Sequence, residues 1–194
     1  MGIGGRDRER RKMRRRAIFL DRDGVLNRPV VREGKPYPPA RVEDVEVYPG
    51  LREQLQRLKD LGFVLIVVTN QPDVARGTTP KKTVDDINDL IARELPAIDQ
   101  VLVCFHDNSD GCGCRKPRPG MLLAGAEEFN VDLERSYMIG DRRNDMQAGI
   151  ATGSRTIFVD RAYSEPPPTH YDHKVSSTHE ALTIIESESE HEKS

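Results

Sequence analysis

Short apolar segments separated by amphipathic ones are the feature that most constrains the fold of this chain. Segments 17–20, 63–68, 100–104, 136–139 and 155–159 are rich in apolar residues, as expected of strands buried on both faces of a parallel sheet. The stretches between most of them carry leucine, isoleucine or valine at intervals of three or four residues, which predicts helices. This alternation predicts an α/β domain with a doubly wound parallel sheet covered by helices on both faces.

Polar residues follow three of these predicted strands directly. Asp21 and Asp23 follow the first, Thr69 and Asn70 the second, and Asp141 the fourth. Each alone is equally consistent with a turn or a strand exit, because Asp and Asn are common turn residues. The carboxyl ends of parallel strands lie on one edge of the sheet, where such folds bind ligands. The combination therefore predicts a functional site at that edge.

Closely spaced carboxylates repel each other, and a bound divalent cation relieves the repulsion. Asp21 and Asp141 offer carboxylate oxygens and Asp23 a backbone carbonyl, all hard oxygen ligands of the kind that Mg²⁺ prefers. The pattern favours phosphoryl transfer to Asp21, with Asp23 as the acid and base. Thr69 and Asn70 are then donors to the phosphate.

Lys116 supplies the positive charge that such a reaction needs beside the nucleophile and the phosphate. The alternative for Lys116 is a solvated surface lysine, which is the usual environment of this residue type. The functional interpretation is stronger because the polar groups follow successive strands in order.

Segments 21–27, 69–71, 115–117 and 140–145 together resemble the four motifs of the haloacid dehalogenase-like phosphatases. More narrowly, they resemble the branch that contains the heptose bisphosphate phosphatases and the histidinol-phosphate phosphatases. The resemblance covers roughly residues 17–163. It implies a Rossmann-like sheet with little or no cap domain, a capless form of the fold.

The resemblance also implies roles for individual residues. Asp21 is the expected nucleophile and Asp23 the acid and base, with Mg²⁺ held by Asp21, Asp23 and Asp141. Asp145 is expected to orient the metal end of the site. The expected substrate-binding residues come from the same motifs and are Asn27, Thr69, Asn70, Gln71, Arg115, Lys116 and Arg142.

A second pattern predicts a structural zinc site. Cys104 and His106 are followed, after five residues, by Cys112 and Cys114, which are sufficient for a closed tetrahedral Zn²⁺ shell. The alternative is a loop with incidental cysteines. A zinc ion here would pin the loop directly before Arg115 and Lys116, and the same loop is a mark of the branch named above.

The expected activity is that of a Mg²⁺-dependent phosphomonoesterase with an aspartyl-phosphate intermediate. The preferred substrate is a sugar bisphosphate, D-glycero-D-manno-heptose 1,7-bisphosphate, losing its 7-phosphate. The short zinc spacer, Pro29 and the pair Pro72 and Asp73 depart from the heptose pattern, so histidinol phosphate stays an alternative substrate. An alternative of another class is a non-catalytic, zinc-stabilised binding module.

Composition and charge bound the remaining expectations. The formal net charge of −2 argues against nucleic-acid binding through bulk charge. No apolar stretch has the length of a membrane span or of a secretory signal, so we expect a cytoplasmic protein, and the resemblance suggests a monomer. We expect a disordered basic arm over 1–16, the phosphatase domain over 17–185 and a disordered tail over 186–194. Segment 28–49, rich in proline, is expected to lack regular structure and to fold over Asp21.

Overall fold

The computed structural model describes residues 14–191 of the chain. The strands are β1 (Arg16–Leu20), β2 (Val30–Arg32), β3 (Lys35–Tyr37), β4 (Phe63–Asn70), β5 (Gln100–Cys104), β6 (Tyr137–Gly140), β7 (Arg155–Val159) and β8 (His173–Val175). The helices are α1 (Leu51–Asp60), α2 (Lys81–Glu94), α3 (Gly120–Glu128), α4 (Arg143–Thr152) and α5 (Thr178–His191). The predicted alternation of strands and helices is therefore present.

Six strands form one parallel sheet in the order β5-β4-β1-β6-β7-β8. Leu20 of β1 lies opposite Val67 of β4 and Ile139 of β6, so these three strands end close together. The chain runs outward from β1 to β5 and then returns to build the other half of the sheet. The carboxyl ends of β1 and β6 border the point of reversal, where open α/β sheets bind ligands.

The sheet has an apolar core on each face. Ile18 and Leu20 pack on one face with residues of α1, α2 and α5, while Ala17 and Phe19 pack on the other with residues of α3 and α4. This alternation follows from the two-residue period of a strand. All four side chains are fully buried, so the end of β1, which positions Asp21, is held from both sides.

The prediction of a disordered tail from residue 186 is wrong for the part of it that the structure describes. Helix α5 continues to His191, because its last turns pack on the domain. Glu186 pairs with Arg57 of α1 at 3.0 Å, and Ser189 is buried. The charged composition of this segment predicted disorder because the residues it contacts are distant in sequence and are brought near only by the fold. Residues 192–194 lie outside the described part.

The boundary between the predicted arm and the domain also lies earlier than residue 17. Most of the expected arm, residues 1–13, lies outside the described part of the chain. Arg15 exchanges backbone hydrogen bonds with Asn130 and Asp132, and Arg16 begins β1. Within residues 14–191 the structure has no helix with the length and apolar character needed to cross a membrane.

Segment 28–49 is only partly as expected. It holds the antiparallel hairpin of β2 and β3 and a 3-10 turn over Val42–Asp44, so the prediction that it lacks regular structure is wrong. A two-stranded hairpin tolerates Pro36 because it has only edge strands. The hairpin and the residue after it nevertheless lie over Asp21 as predicted, and this modest insertion agrees with a fold that has little or no cap domain.

Candidate active site

The acidic residues that follow β1 and β6 meet where the strand order reverses. Carboxylate oxygens of Asp21, Asp141 and Asp145 all lie within 4.8 Å of one another. Asp141 and Asp145 are 2% exposed and Asp21 is 9% exposed. The backbone N–H of Asp21 donates to the carbonyl of Ile139 at 2.9 Å, which ties the start of this loop to β6. The sheet therefore brings together residues that are about 120 positions apart in sequence.

Lys116 is the cation of this cluster and is almost fully buried. Its Nζ donates to Asp21 Oδ1 at 2.8 Å and to the Val68 carbonyl at 2.7 Å, and it pairs with Asp145 Oδ1 at 2.7 Å. Burial opposes the charge, yet Asp145 and Asp21 raise the pKa of Lys116 above its usual value. The surface-lysine alternative is therefore wrong, and the ammonium group is held against the expected nucleophile.

Two side chains fix the position of Lys116. Asn70 accepts from the backbone N–H of Lys116 at 3.1 Å and donates to its carbonyl at 3.0 Å. Asp145 binds Nζ through Oδ1 and accepts from the backbone N–H of Arg142 through Oδ2 at 3.0 Å. Both residues were expected to contact phosphate or to orient metal, and in the structure their side chains position the lysine.

Asp23 is bound by three donors. Arg22 makes a bidentate contact, with Nη2 at 2.9 Å from Oδ2 and Nε at 3.2 and 3.3 Å from the two oxygens. Asn27 donates to Oδ1 at 3.0 Å, and Gln71 donates to Oδ2 at 2.9 Å and to Thr69 Oγ1 at 3.0 Å. Asn27 and Gln71, expected to contact substrate, thus orient the candidate acid and base.

The Asp141 carboxylate is only half satisfied. Tyr163 donates its hydroxyl to Oδ2 at 2.7 Å, whereas Oδ1 is buried and has no hydrogen-bond partner among the described residues. Burial and the neighbouring carboxylates raise the pKa of Asp141 well above its usual value. Burial likewise raises the pKa of Asp21 to about 6, against the opposing effect of Lys116. An unpaired buried oxygen beside a second carboxylate is the environment that a hard divalent cation would stabilise.

Gly24 makes this arrangement possible. It has a φ of +88°, and a Cβ there would lie 1.8 Å from Asp141 Oδ2 and 2.9 Å from the Tyr163 hydroxyl. The residue after Asp23 must therefore lack a side chain for the loop to pass beneath Asp141. The glycine of the motif has a packing reason as well as a conformational one.

A small cavity of about 70 Å³ opens above the carboxylates. The hairpin residues Pro36 and Tyr37 form part of its wall, opposite Thr69 and Lys116. A cavity needs about 10–15 Å³ of such volume to hold one water molecule, so this one has room for several waters or for one small polar group beside Asp21.

The two arginines expected to face the substrate have other partners. Arg115 donates to Asn108 Oδ1 at 2.8 Å and to the His106 carbonyl at 3.3 Å, so it faces the cysteine-rich loop. Arg142 lines the small cavity but makes a bidentate pair with Glu165 at 2.7 and 2.9 Å. In this state neither guanidinium is free.

The four expected zinc ligands converge as predicted. Sγ of Cys104 lies 3.7 Å from Sγ of Cys112 and 3.1 Å from Sγ of Cys114, and His106 Nδ1 lies 3.3 Å from the latter. Ligands around a tetrahedral zinc with bonds of about 2.3 Å lie roughly 3.7 Å apart, so the set fits that ion. Burial raises the pKa of Cys104 to about 12, so thiolate ligation there would release a proton.

Sequence reasoning gave no role to several residues that shape the site. Arg22 lies inside the first motif. Its buried hydrogen bond to Asn88 of α2, at 2.9 Å, could not be predicted from the residues around it in the sequence. Arg161 donates to the Gly24 carbonyl at 2.8 Å, and Tyr163 reaches Asp141. Both lie in the loop after β7, two and four residues beyond Val159, so extending the strand-end rule a few residues into the loop could have found them.

Known proteins match this chain over the same region. The haloacid dehalogenase-like hydrolase family matches residues 30–153. The D-glycero-beta-D-manno-heptose-1,7-bisphosphate 7-phosphatase of Helicobacter pylori strain J99 is 36% identical over 140 residues, covering 70% of this chain and 77% of that protein. The D-glycero-alpha-D-manno-heptose-1,7-bisphosphate 7-phosphatase of Campylobacter jejuni is 34% identical over 151 residues, covering 76% and 83%.

The fold of a solved structure also matches that of this chain. The D,D-heptose 1,7-bisphosphate phosphatase of B. bronchiseptica, crystallised with magnesium and phosphate, superposes with a TM-score of 0.76 and 27% identity, covering 89% of this chain and 99% of that one. Because the sequence relatives align over most of their own length and the fold agrees over 89% of the chain, this chain belongs to the haloacid dehalogenase-like hydrolases, within the family of the D-glycero-D-manno-heptose-1,7-bisphosphate 7-phosphatases.

Proposed function

We propose that this chain is a Mg²⁺-dependent phosphomonoesterase that removes the 7-phosphate of D-glycero-D-manno-heptose 1,7-bisphosphate through a phosphorylated Asp21. The observation that carries the proposal is the buried pair formed by Asp21 and Lys116 at the point of strand reversal. It lies next to Asp141 Oδ1, a buried oxygen with no hydrogen-bond partner within residues 14–191. The expected nucleophile, a cation that neutralises its charge and a carboxylate oxygen that could bind a metal ion thus lie in one cluster. A binding module would have no use for this combination.

In the first step Asp21 attacks the phosphorus and the bond to the sugar oxygen breaks. Asp23, protonated at this stage, gives its proton to the leaving alkoxide. Lys116 stays beside Asp21 at 2.8 Å and offsets the charge of the carboxylate and the incoming phosphate. Thr69, which lines the same cavity, donates to a phosphate oxygen.

In the second step water attacks the phosphorus of the aspartyl phosphate. Asp23, now ionised, takes a proton from that water, the bond between phosphorus and Asp21 breaks, and inorganic phosphate leaves. The three donors on Asp23 hold its carboxylate near the reacting atoms for both proton transfers. Each step balances without a further reactant.

The site residues fit a magnesium ion held by Asp21, Asp141 and the backbone carbonyl of Asp23. Bound Mg²⁺ would neutralise charge on the phosphate oxygens and orient the phosphorus toward Asp21. Asp145 is already committed to Lys116 and to the Arg142 N–H, so we assign it a positioning role.

We further propose that Zn²⁺ binds Cys104, His106, Cys112 and Cys114 and has a structural role. All four positions carry protein ligands, which leaves no place for a catalytic water. The ion would order the loop that leads into Lys116. We also infer a cytoplasmic monomer, and gel filtration with light scattering would test the oligomeric state.

Side-by-side turnover tests the substrate. Heptose 1,7-bisphosphate, both anomers, and histidinol phosphate are compared at equal Mg²⁺ concentration, with released phosphate as the readout. We expect kcat/KM to be highest for a heptose bisphosphate. A preference for histidinol phosphate would overturn the substrate assignment, and absence of Mg²⁺-dependent hydrolysis of any phosphate ester would overturn the enzyme assignment.

A further inference from the structure

Two of the three cysteines lie beside the hydrogen bonds that hold Lys116. Cys104 ends β5 and lies opposite Asn70 of β4 in the parallel pairing. The backbone N–H of Gln71 donates to the Cys104 carbonyl at 2.8 Å, which ties the two strand ends together. Cys114 lies two residues before Lys116, whose backbone N–H and carbonyl are both bound by the Asn70 side chain. A link between Cys104 and Cys114 would therefore run beside the contact between Asn70 and Lys116.

The sulfur atoms of this pair are the closest of the three possible pairs. Cys104 Sγ lies 3.1 Å from Cys114 Sγ and 3.7 Å from Cys112 Sγ, and the sulfurs of Cys112 and Cys114 are 3.5 Å apart. A disulfide has an S–S bond of about 2.05 Å, so the closest pair needs to approach by roughly 1 Å. Cys104 and Cys114 thus require the smallest movement to form a bond.

The residues of this cluster differ in their access to solvent. Cys104 is fully buried in the core on the face of the sheet covered by α3 and α4. Cys112 and Cys114 are partly exposed, and His106 is exposed. A partly exposed thiolate next to a second thiol is the arrangement in which oxidation gives a disulfide. Cys114 therefore offers the exposed sulfur of such a pair, and Cys104 offers the buried one.

We propose that Cys104 and Cys114 are an oxidation site, at which peroxide forms a disulfide that replaces the proposed zinc ion as the cross-link beside Lys116. The Cys114 thiolate attacks one oxygen of hydrogen peroxide, the O–O bond breaks, hydroxide departs and Cys114 becomes a sulfenic acid. The Cys104 thiolate then attacks the Cys114 sulfur, the S–S bond forms and a second hydroxide departs. The two sulfurs lose two electrons in total, and the peroxide is reduced to two hydroxide ions.

The disulfide would leave Cys112 and His106 as the remaining zinc ligands. Two protein ligands do not make the closed four-ligand shell of a structural site, so the ion would be released. The outer part of the loop then loses its anchor, but the link from β5 to the segment before Lys116 is kept. The proposal rests on the zinc site proposed above, and it predicts that the oxidised, zinc-free protein is more active than the reduced, zinc-free protein.

A digest identifies the disulfide. Zinc-loaded wild-type protein is treated with hydrogen peroxide, its remaining thiols are blocked, and it is cleaved before aspartate. One peptide, 99–106, then carries Cys104, and another, 110–131, carries Cys112 and Cys114. We expect mass spectrometry to find these peptides joined, with about one equivalent of Zn²⁺ released per disulfide. A disulfide within 110–131, or oxidation to sulfinic acid without a disulfide, would overturn the proposal.

Cys112→Ser separates the disulfide from zinc. This variant keeps Cys104 and Cys114 but lacks one zinc ligand, so its reduced form should hold little zinc and have a low kcat/KM. Peroxide should raise its kcat/KM by about tenfold, because the disulfide restores the cross-link, and dithiothreitol should reverse the gain. Cys114→Ser is the matched control, because it also lacks one zinc ligand but cannot form this disulfide.

Peroxide should leave Cys114→Ser without any gain. An equal gain in both variants, or none in Cys112→Ser, would show that no disulfide replaces the zinc cross-link. Failure of the proposed phosphatase activity is a separate result, because the digest and the zinc release need no turnover. If the purified wild-type protein binds no Zn²⁺, the proposed zinc site fails, and the digest still decides whether the disulfide forms.

Discussion

The carboxylate cluster and the cysteine–histidine cluster bring potential metal ligands equally close together but by different means. In both, the ligand atoms lie within 4.8 Å of one another. Asp21, Asp141 and Asp145 come from distant parts of the chain and are placed by buried strand ends. Cys104, the last residue of β5, and Cys114 lie within one segment of eleven residues, in which only Cys104 is buried.

The difference shows what holds each site together. The first cluster is attached to strands with apolar cores on both faces, so the fold can keep like charges close even though burial raises the pKa of Asp21 to about 6. In the second cluster Cys104 belongs to the core on one face of the sheet, but Cys112 and Cys114 only pack against that core and His106 is exposed. A bound ion would therefore supply cross-links that packing does not. We therefore expect the sheet site to retain its shape without metal and the loop site to lose it.

The largest effect is expected for Asp21→Asn. It should lower kcat by about 10⁴-fold or more, because the amide cannot become the phosphoryl acceptor. The metal-free variant should melt no lower than the metal-free wild type, because an ionised Asp21 with a raised pKa destabilises the fold at neutral pH. Steady-state kinetics and thermal melts check both points, and surviving turnover would mean that another group is the nucleophile.

Loss of one of the proposed zinc ligands should have the next largest effect. Cys112→Ser should lower zinc content from about one equivalent toward zero and lower kcat/KM by roughly 100-fold, since the loop before Lys116 loses its cross-link. Metal analysis and kinetics are the measurements. Ser109→Ala, an exposed change in the same loop, is the control. Full activity in Cys112→Ser would show that the order of this loop does not matter for the reaction.

Tyr163→Phe should weaken Mg²⁺ binding by about tenfold. The hydroxyl donates to Asp141 Oδ2 at 2.7 Å and so orients the other oxygen toward the metal position. Titration calorimetry with Mg²⁺ measures the affinity directly, independently of turnover. Tyr171→Phe, a tyrosine whose ring lies 5.7 Å from that of Phe158, is the matched control. Unchanged affinity in Tyr163→Phe would show that the sheet alone positions Asp141.

The smallest effect is expected for Asn88→Ala on α2. Arg22 donates hydrogen bonds to both Asn88 and Asp23, so Asn88 orients the arginine that orients Asp23. Loss of the Asn88 side chain should therefore lower kcat about fivefold for alkyl phosphates, whose leaving group needs a proton. Aryl phosphates need less help from the acid and should respond less. Asn88→Asp keeps the acceptor and should restore most of the activity, whereas Asp89→Ala on the exposed face is neutral. An equal loss for both ester types would indicate a merely structural role.

Local patterns predicted which side chains converge at the carboxyl edge of the sheet. Asp21, Thr69 and Asp141 follow apolar strands, and parallel strands must end on a common edge, so their convergence could be inferred before any coordinates. The four expected zinc ligands are close in sequence, so their proximity could be inferred in the same way. The predictions failed where long-range contacts decide, as at Glu186, whose helix is stabilised by Arg57 across the fold.

By itself, the sequence determined the strand and helix alternation, the order of the chemical groups along the sheet edge and the composition of both clusters of potential metal ligands. These depend on residue type and spacing, which are local. Only the tertiary structure decided that Asn70 and Asp145 hold Lys116 and that Tyr163 meets Asp141. The physical reason is that a side chain's partner depends on which distant segments pack beside it, and no local pattern encodes that choice.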